Sequence, residues 1–242
     1  MRRLMLTTAL VTFAAVPAAH AELEVTLGGY TTFQAGFFNN DVANSSDRDF
    51  QSESELFVKA QAQTENGLKY GAYLELQAST SDGANADEVN LWLEGNWGRV
   101  ELGDQDGAGS QLAVVGPYVG IGQAMGSYND FVPSADRGYR NSETAGDPYF
   151  KAIDTLDATK VTYYTPRFSG FQAGVSYAPE RDSGANGEDV QFFDNVGNHD
   201  NAYELGLNYK NEFSNGVKLN VGGEYVGADA KDGSGLEDIS SW

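Results

Sequence analysis

The chain has 242 residues, with 35 acids against 15 bases, a formal charge of −20, no cysteine, two histidines, 29 glycines and 6 prolines. That charge leaves no basic face for phosphates and excludes nucleic acid as a partner. The missing cysteines and scarce histidines remove disulfides, thiol chemistry and most zinc or triad sites, so an enzyme is not expected. The 13 Tyr, 13 Phe and 3 Trp are too many for a disordered acidic tail.

At the start, Arg2 and Arg3 precede an uncharged stretch that ends in Ala19-His20-Ala21. A basic segment, an apolar segment and an A-x-A site together read as a secretory signal peptide, residues 1–21. The apolar part is too short for a membrane helix and contains Pro17. Cleavage there also removes His20, leaving His199 as the single histidine of the exported chain.

From Glu22 onward the apolar pattern has a period of two, the signature of half-covered strands. The first strand carries Leu23, Val25, Leu27 and Phe33 on one face. Between residues 50 and 64, Leu56, Val58, Ala60 and Ala62 alternate with Glu55, Lys59, Gln61 and Gln63. After a Glu65-Asn66-Gly67 turn, Leu68, Tyr70, Ala72, Leu74 and Leu76 alternate with Lys69, Gly71, Tyr73, Glu75 and Gln77. The same reading gives strands around Val89-Leu93, Val100-Leu102, Val161-Tyr163, Phe171-Tyr177, Tyr203-Tyr209 and Val217-Tyr225, nine in all.

The connections alternate in length. Short ones contain Glu65-Asn66-Gly67, Asn96-Trp97-Gly98, Arg167-Phe168-Ser169-Gly170 and Phe213-Ser214-Asn215-Gly216; long acidic ones lie near 39–49, 80–87, 105–158, 179–201 and from 227 onward. Turns on one side and long loops on the other describe a meander through an outer membrane. A soluble β-sandwich also alternates, so a secreted carbohydrate-binding sandwich is the competing reading. Three features favour a transmembrane antiparallel β-barrel. Lys and Glu recur at mid-strand on the polar face, loop lengths alternate strictly, and aromatics (Phe37, Phe171, Tyr177, Tyr203, Tyr209, Tyr225) sit near strand ends on the apolar face.

Three segments then resemble a known family. Val25-Thr26-Leu27-Gly28-Gly29-Tyr30 looks like the first strand of general Gram-negative porins. Leu91-Trp92-Leu93-Glu94-Gly95-Asn96-Trp97-Gly98-Arg99-Val100-Glu101-Leu102-Gly103-Asp104 is similar to a porin hairpin. Lys160-Val161-Thr162-Tyr163-Tyr164-Thr165-Pro166-Arg167-Phe168-Ser169-Gly170-Phe171 resembles the hairpin that follows the constriction loop. The alphaproteobacterial, Rhodobacter-like branch fits best. The resemblance implies a sixteen-stranded barrel, usually a homotrimer, in contact with outer-membrane lipid. Its third external loop, here about 107–157, would fold inward and narrow the pore. The apolar, Gly-rich run of residues 112–121 would pack on the inner wall.

The function then expected is passive diffusion of ions and small hydrophilic solutes. Family members usually place arginines on the wall opposite loop acids, but this chain has Thr32, Glu55, Phe57 and Glu75 at the aligned positions. With Glu94 and Glu101 facing the lumen against Lys59, Lys69 and Arg99, cation selectivity is expected. The loop adds Asp130, Asp136, Glu143, Asp147, Asp154 and Asp157 against Arg137, Arg140 and Lys151.

Other chemistry has little support. Gly120-Ile121-Gly122-Gln123-Ala124-Met125-Gly126 misses the dinucleotide fingerprint by one residue and lacks its βαβ context. Loop oxygens in Asp104-Gln105-Asp106 and residues 229–238 are of the kind that hold Ca2+, yet the EF-hand spacing is absent. An outer-membrane hydrolase is undercut by the lack of histidine. Nine strands is odd, whereas single-chain bacterial barrels have even counts, and residues 229–242 read as an external loop. The chain is therefore expected to be an N-terminal part, with about seven strands beyond Trp242.

Overall fold

The computed structural model describes residues 22–37, 48–77, 85–114, 155, 157–181 and 199–242; residues 1–21, where a signal peptide is expected, lie outside these. Ten strands in chain order make one antiparallel meander, each bonded to the next: β1 (Glu24–Phe37), β2 (Arg48–Gln63), β3 (Lys69–Gln77), β4 (Asn85–Gly95), β5 (Gly98–Asp104), β6 (Thr159–Tyr164), β7 (Phe171–Glu180), β8 (His199–Glu212), β9 (Lys218–Ala230) and β10 (Ile239–Ser241). One five-residue helix, α1 (Ala108–Leu112), follows β5. No helix among the described residues is long and apolar enough to cross a membrane.

Register explains why the alternation is so regular. Leu56 stands opposite Leu76, Val58 opposite Leu74 and Ala60 opposite Ala72, so apolar side chains of neighbouring strands share one face. Leu91 opposite Leu102 and Val175 opposite Leu205 continue that face. The intervening positions place Lys69 opposite Glu94, Glu94 opposite Arg99 and Glu101 opposite Thr162 on the other. The tight turns use the backbone freedom they need: Ser169 and Gly170 have φ of 49° and 92°, the left-handed pair that turns β6 back into β7.

Burial is inverted relative to a water-soluble sheet. Leu27 is 74 % exposed, Leu205 47 % and Val161 52 %, whereas Glu204 and Thr162 on the opposite face are fully covered. A sandwich would bury the apolar face against a second sheet; among the described residues there is one sheet and that face is bare. What covers the polar face is α1, which lies across β6 to β9.

Two rows of small residues make room for this covering. Gly174 and Gly206 are paired across β7 and β8, and Gly222 stands opposite Asn208 on β9. A Cβ on Gly206 would come within 2.4 Å of the Ala108 carbonyl oxygen, and one on Gly174 within 3.0 Å of the Ala108 methyl. Towards the long-loop end, Ala178, Ala202 and Ala228 are buried together with Ala158, the residue that leads back into β6. Glycines receive the outgoing arm of the long connection and alanines its return.

The structure corrects the reading of the last segment. Residues 229–230 complete β9, and Ile239 pairs with Ala228, Ser240 with Gly227 and Ser241 with Val226, so a tenth strand begins where an external loop was expected. Local hydrophobicity gave no signal because Ser240 and Ser241 are held by ladder bonds to β9, not by apolar burial. The described residues therefore hold ten strands, one more than the alternation alone gives.

The glycine trough gives a direct expectation. Gly206→Val forces a side chain against the α1 backbone, an overpacking of about 1–3 kcal/mol. Amide exchange at Ala108 and Gly109 should accelerate by about ten- to a hundredfold, with β2 and β3 unchanged; unchanged protection of α1 would show that the trough does not seat it.

Candidate functional site: the covered polar face

At the centre of the covered face stands Glu204 on β8. Its Oε2 accepts the Gly109 amide at 2.9 Å and the Ser110 amide at 3.4 Å. Its Oε1 accepts the Thr155 amide at 2.6 Å and the Thr155 hydroxyl at 2.7 Å. One carboxylate therefore holds both arms of the connection between β5 and β6. Bonds to an ionised acceptor are about twice as strong as neutral ones, and those from Gly109 and Thr155 are buried here. Gly107 is required beside it, since a Cβ there would lie 2.2 Å from the Glu204 carboxyl carbon.

The surrounding contacts fix the same arms. The Ala108 amide donates to Ser176 Oγ at 2.7 Å, and Ser176 Oγ bonds Thr162 Oγ1 at 2.7 Å. Asn208 Nδ2 donates to the Leu112 carbonyl at 3.0 Å. Lys160 Nζ donates to the Gln105 carbonyl, and Thr159 donates to Asp104. Asp104 and Gln105 thus belong to a bonded stem and not to an open calcium-holding loop.

The sequence-predicted residues fall into two groups on this face. Lys69 Nζ lies 3.0 Å from Glu94, Arg99 lies 3.6 Å from the other Glu94 oxygen, and Arg99 Nε bonds Glu101. The Arg99 guanidinium also stacks on Trp92 at 4.3 Å, with Lys59 5.9 Å from the same ring. Glu94 and Glu101 therefore do not act as uncompensated acids, because pairing with Lys69 and Arg99 cancels their charge locally. The second group is acidic: oxygens of Glu55, Glu75 and Asp87 lie within 4.8 Å of one another toward the long-loop end of β2 to β4. Gln77 donates to Asp87 at 3.2 Å, and the Tyr73 hydroxyl donates to Glu75. Among the described residues these three carboxylates are close enough to share a cation. Phe57 lies over Gly28 and stacks on Tyr73 at 6.0 Å.

Asp130, Asp136, Arg137, Arg140 and Glu143 lie outside the described residues, as do Asp147, Lys151 and Asp154. The expected packing of residues 112–121 on the wall is seen for Leu112, which is buried with Ala108 and Tyr164; residues beyond 114 are outside. Sequence reasoning missed Glu204, Ser176, Asn208 and Thr155. The available signal was an acid on β8 surrounded on its own face by Gly174, Ser176, Ala178, Ala202 and Gly206.

Truncating the clamp should be costly. Glu204→Ala strands two buried amides, a half-buried one and a buried hydroxyl, and the expected loss is on the order of 3–5 kcal/mol in reversible urea unfolding from micelles. Glu204→Gln, which keeps one carbonyl oxygen, should lose less. Glu65→Ala in an exposed turn should stay within about 0.5 kcal/mol.

Residues 7–242 match the profile of the Gram-negative porin family. Outer membrane porin protein 32 of Delftia acidovorans is 31 % identical over 186 residues, covering 70 % of this chain and 48 % of that protein. A mutant of the Rh. blastica porin superposes with a TM-score of 0.50 at 14 % identity, covering 86 % of this chain and 70 % of that one. A Comamonas acidovorans porin described as anion-selective superposes with a TM-score of 0.46 at 21 % identity, covering 88 % and 75 %. The chain spans about half to two thirds of the length of the curated relatives it matches. The profile match extends over nearly the whole chain, and the meander is the antiparallel wall of a porin barrel: the chain belongs to the Gram-negative porin family.

Proposed function

We propose that the protein forms a water-filled outer-membrane channel for passive diffusion of ions and small hydrophilic solutes, with no catalytic step. The observation that carries this reading is the inverted sheet: apolar side chains bare on one face, charged and polar ones on the other. In hydrocarbon every backbone group must be bonded within the protein, and a closed antiparallel sheet achieves that while its polar face lines water. Aromatics support the same placement. On β8 and its turn, Tyr203 and Phe213 are exposed on the apolar face, about 33 Å apart along an extended chain. A tilt of 35–45° projects that separation to about 25 Å, the height of an outer-membrane apolar band.

In this reading residues 1–21 direct export, and residues 107–157 form the constriction loop, tied at both ends by Glu204. The bare faces of β1 to β3 meet lipid or neighbouring copies in a homotrimer. Selectivity is for cations. With Glu94 and Glu101 neutralised by their partners, the field comes from Glu55, Glu75 and Asp87. Low-dielectric walls focus that field on the narrow aqueous path.

The zero-current potential of the reconstituted channel across a potassium chloride gradient measures this. The expected result is cation preference at 0.1 M that fades by 1 M, as the Debye length falls from about 10 Å to about 3 Å. Combined Glu55→Gln and Glu75→Gln should move the potential toward zero. Anion preference at low salt, or no response to the double variant, contradicts the selectivity.

A further inference from the structure

At the short-turn end of the polar face, a cavity of about 440 Å³ lies between the end of α1 and the wall of β4 to β7. Its lining combines Glu94, Arg99 and Glu101 with Tyr164, Arg167 and Gln172. The bonds inside it are unevenly used. Arg167 donates Nη1 to the Gly170 carbonyl at 2.7 Å and Nη2 to Gln172 Oε1 at 2.5 Å. Among the described residues no carboxylate pairs with it, so a guanidinium with five N–H groups keeps donors and a full charge. Glu101 gives Oε1 to Arg99, and its second oxygen has no partner among the described residues. The Tyr164 hydroxyl is buried and has no hydrogen-bond partner among the described residues.

We propose that this cavity is a binding subsite for a small zwitterion of the α-amino-acid type. Its ammonium group bonds the open Glu101 oxygen and the Tyr164 hydroxyl, and its carboxylate bonds Arg167. A solute with a single negative charge would gain Arg167 but leave the second Glu101 oxygen and the Tyr164 hydroxyl without a donor or acceptor from the ligand. One with a single positive charge would gain the Glu101 oxygen but meet Arg167 and leave it without a carboxylate. A dipolar solute satisfies both ends, and it meets the requirement that buried polar groups be bonded. Leu112 and Pro166 supply apolar surface for the ligand's carbon stem. The volume is at the small end of the range for small-molecule sites, about 300–1,000 Å³.

Binding does not depend on conduction, so it is read on the full chain in detergent by calorimetric titration with L-glutamine, acetate and n-butylamine. The expected result is saturable glutamine binding, with acetate and n-butylamine each weaker by about tenfold or more. Arg167→Gln and Glu101→Gln should each weaken glutamine by about tenfold, and Tyr164→Phe by a smaller factor. Arg167 is an exposed turn residue, so its loss of binding is separable from misfolding. Absence of saturable glutamine binding overturns the proposal, as does acetate or n-butylamine binding equally well. Unchanged affinity in Arg167→Gln overturns it too.

Discussion

A sheet that bares its leucines and covers its glutamate is stable only where the solvent on the bare face is not water. That constraint organises everything else in this protein. It requires strict period-two alternation, because a single slip in register would turn Leu74 toward the aqueous face and Glu75 toward the apolar one. It also requires that the ladder satisfy the backbone groups along each strand, and β2 to β9 meet this by pairing on both sides in unbroken chain order.

The polar face carries the complementary problem. A wall face lined with polar and charged side chains gives a long connecting loop little apolar surface on which to pack. The solution is electrostatic and steric together. Glycines at 174, 206 and 222 let α1 approach the backbone of the wall, and the Glu204 carboxylate bonds amides from both arms of the loop. A buried carboxylate bonded only by neutral donors is a costly device, and here Ser176 and Asn208 share the work of holding the outgoing arm.

Much of the fold was legible because alternation is a local signal. Leu56, Val58 and Ala60 against Glu55, Lys59 and Gln61 placed β2 on both of its faces before any pairing was known, and Asn66-Gly67 marked the turn. The tenth strand was not legible, since Ser240 and Ser241 take their conformation from pairing with residues 226–227, and Ile239 packs on an alanine cluster gathered from distant segments. The site was legible in part. Lys69, Glu94, Arg99 and Glu101 were correctly put on one face, yet sequence spacing cannot show that Arg99 bridges two acids across β4 and β5. Glu204 escaped notice because its partners lie 49 and 95 positions away, at Thr155 and Gly109.

The orientation of the two faces is the central claim, and a chain without cysteine suits its test. Single cysteines along β3, carrying nitroxide labels, are compared in lipid vesicles for collision with oxygen and with a water-soluble nickel chelate. The account predicts strong oxygen and weak nickel collisions at positions 72, 74 and 76, and the reverse at 73, 75 and 77. Strong nickel collision at 72, 74 and 76 would contradict it, because those side chains would then face water.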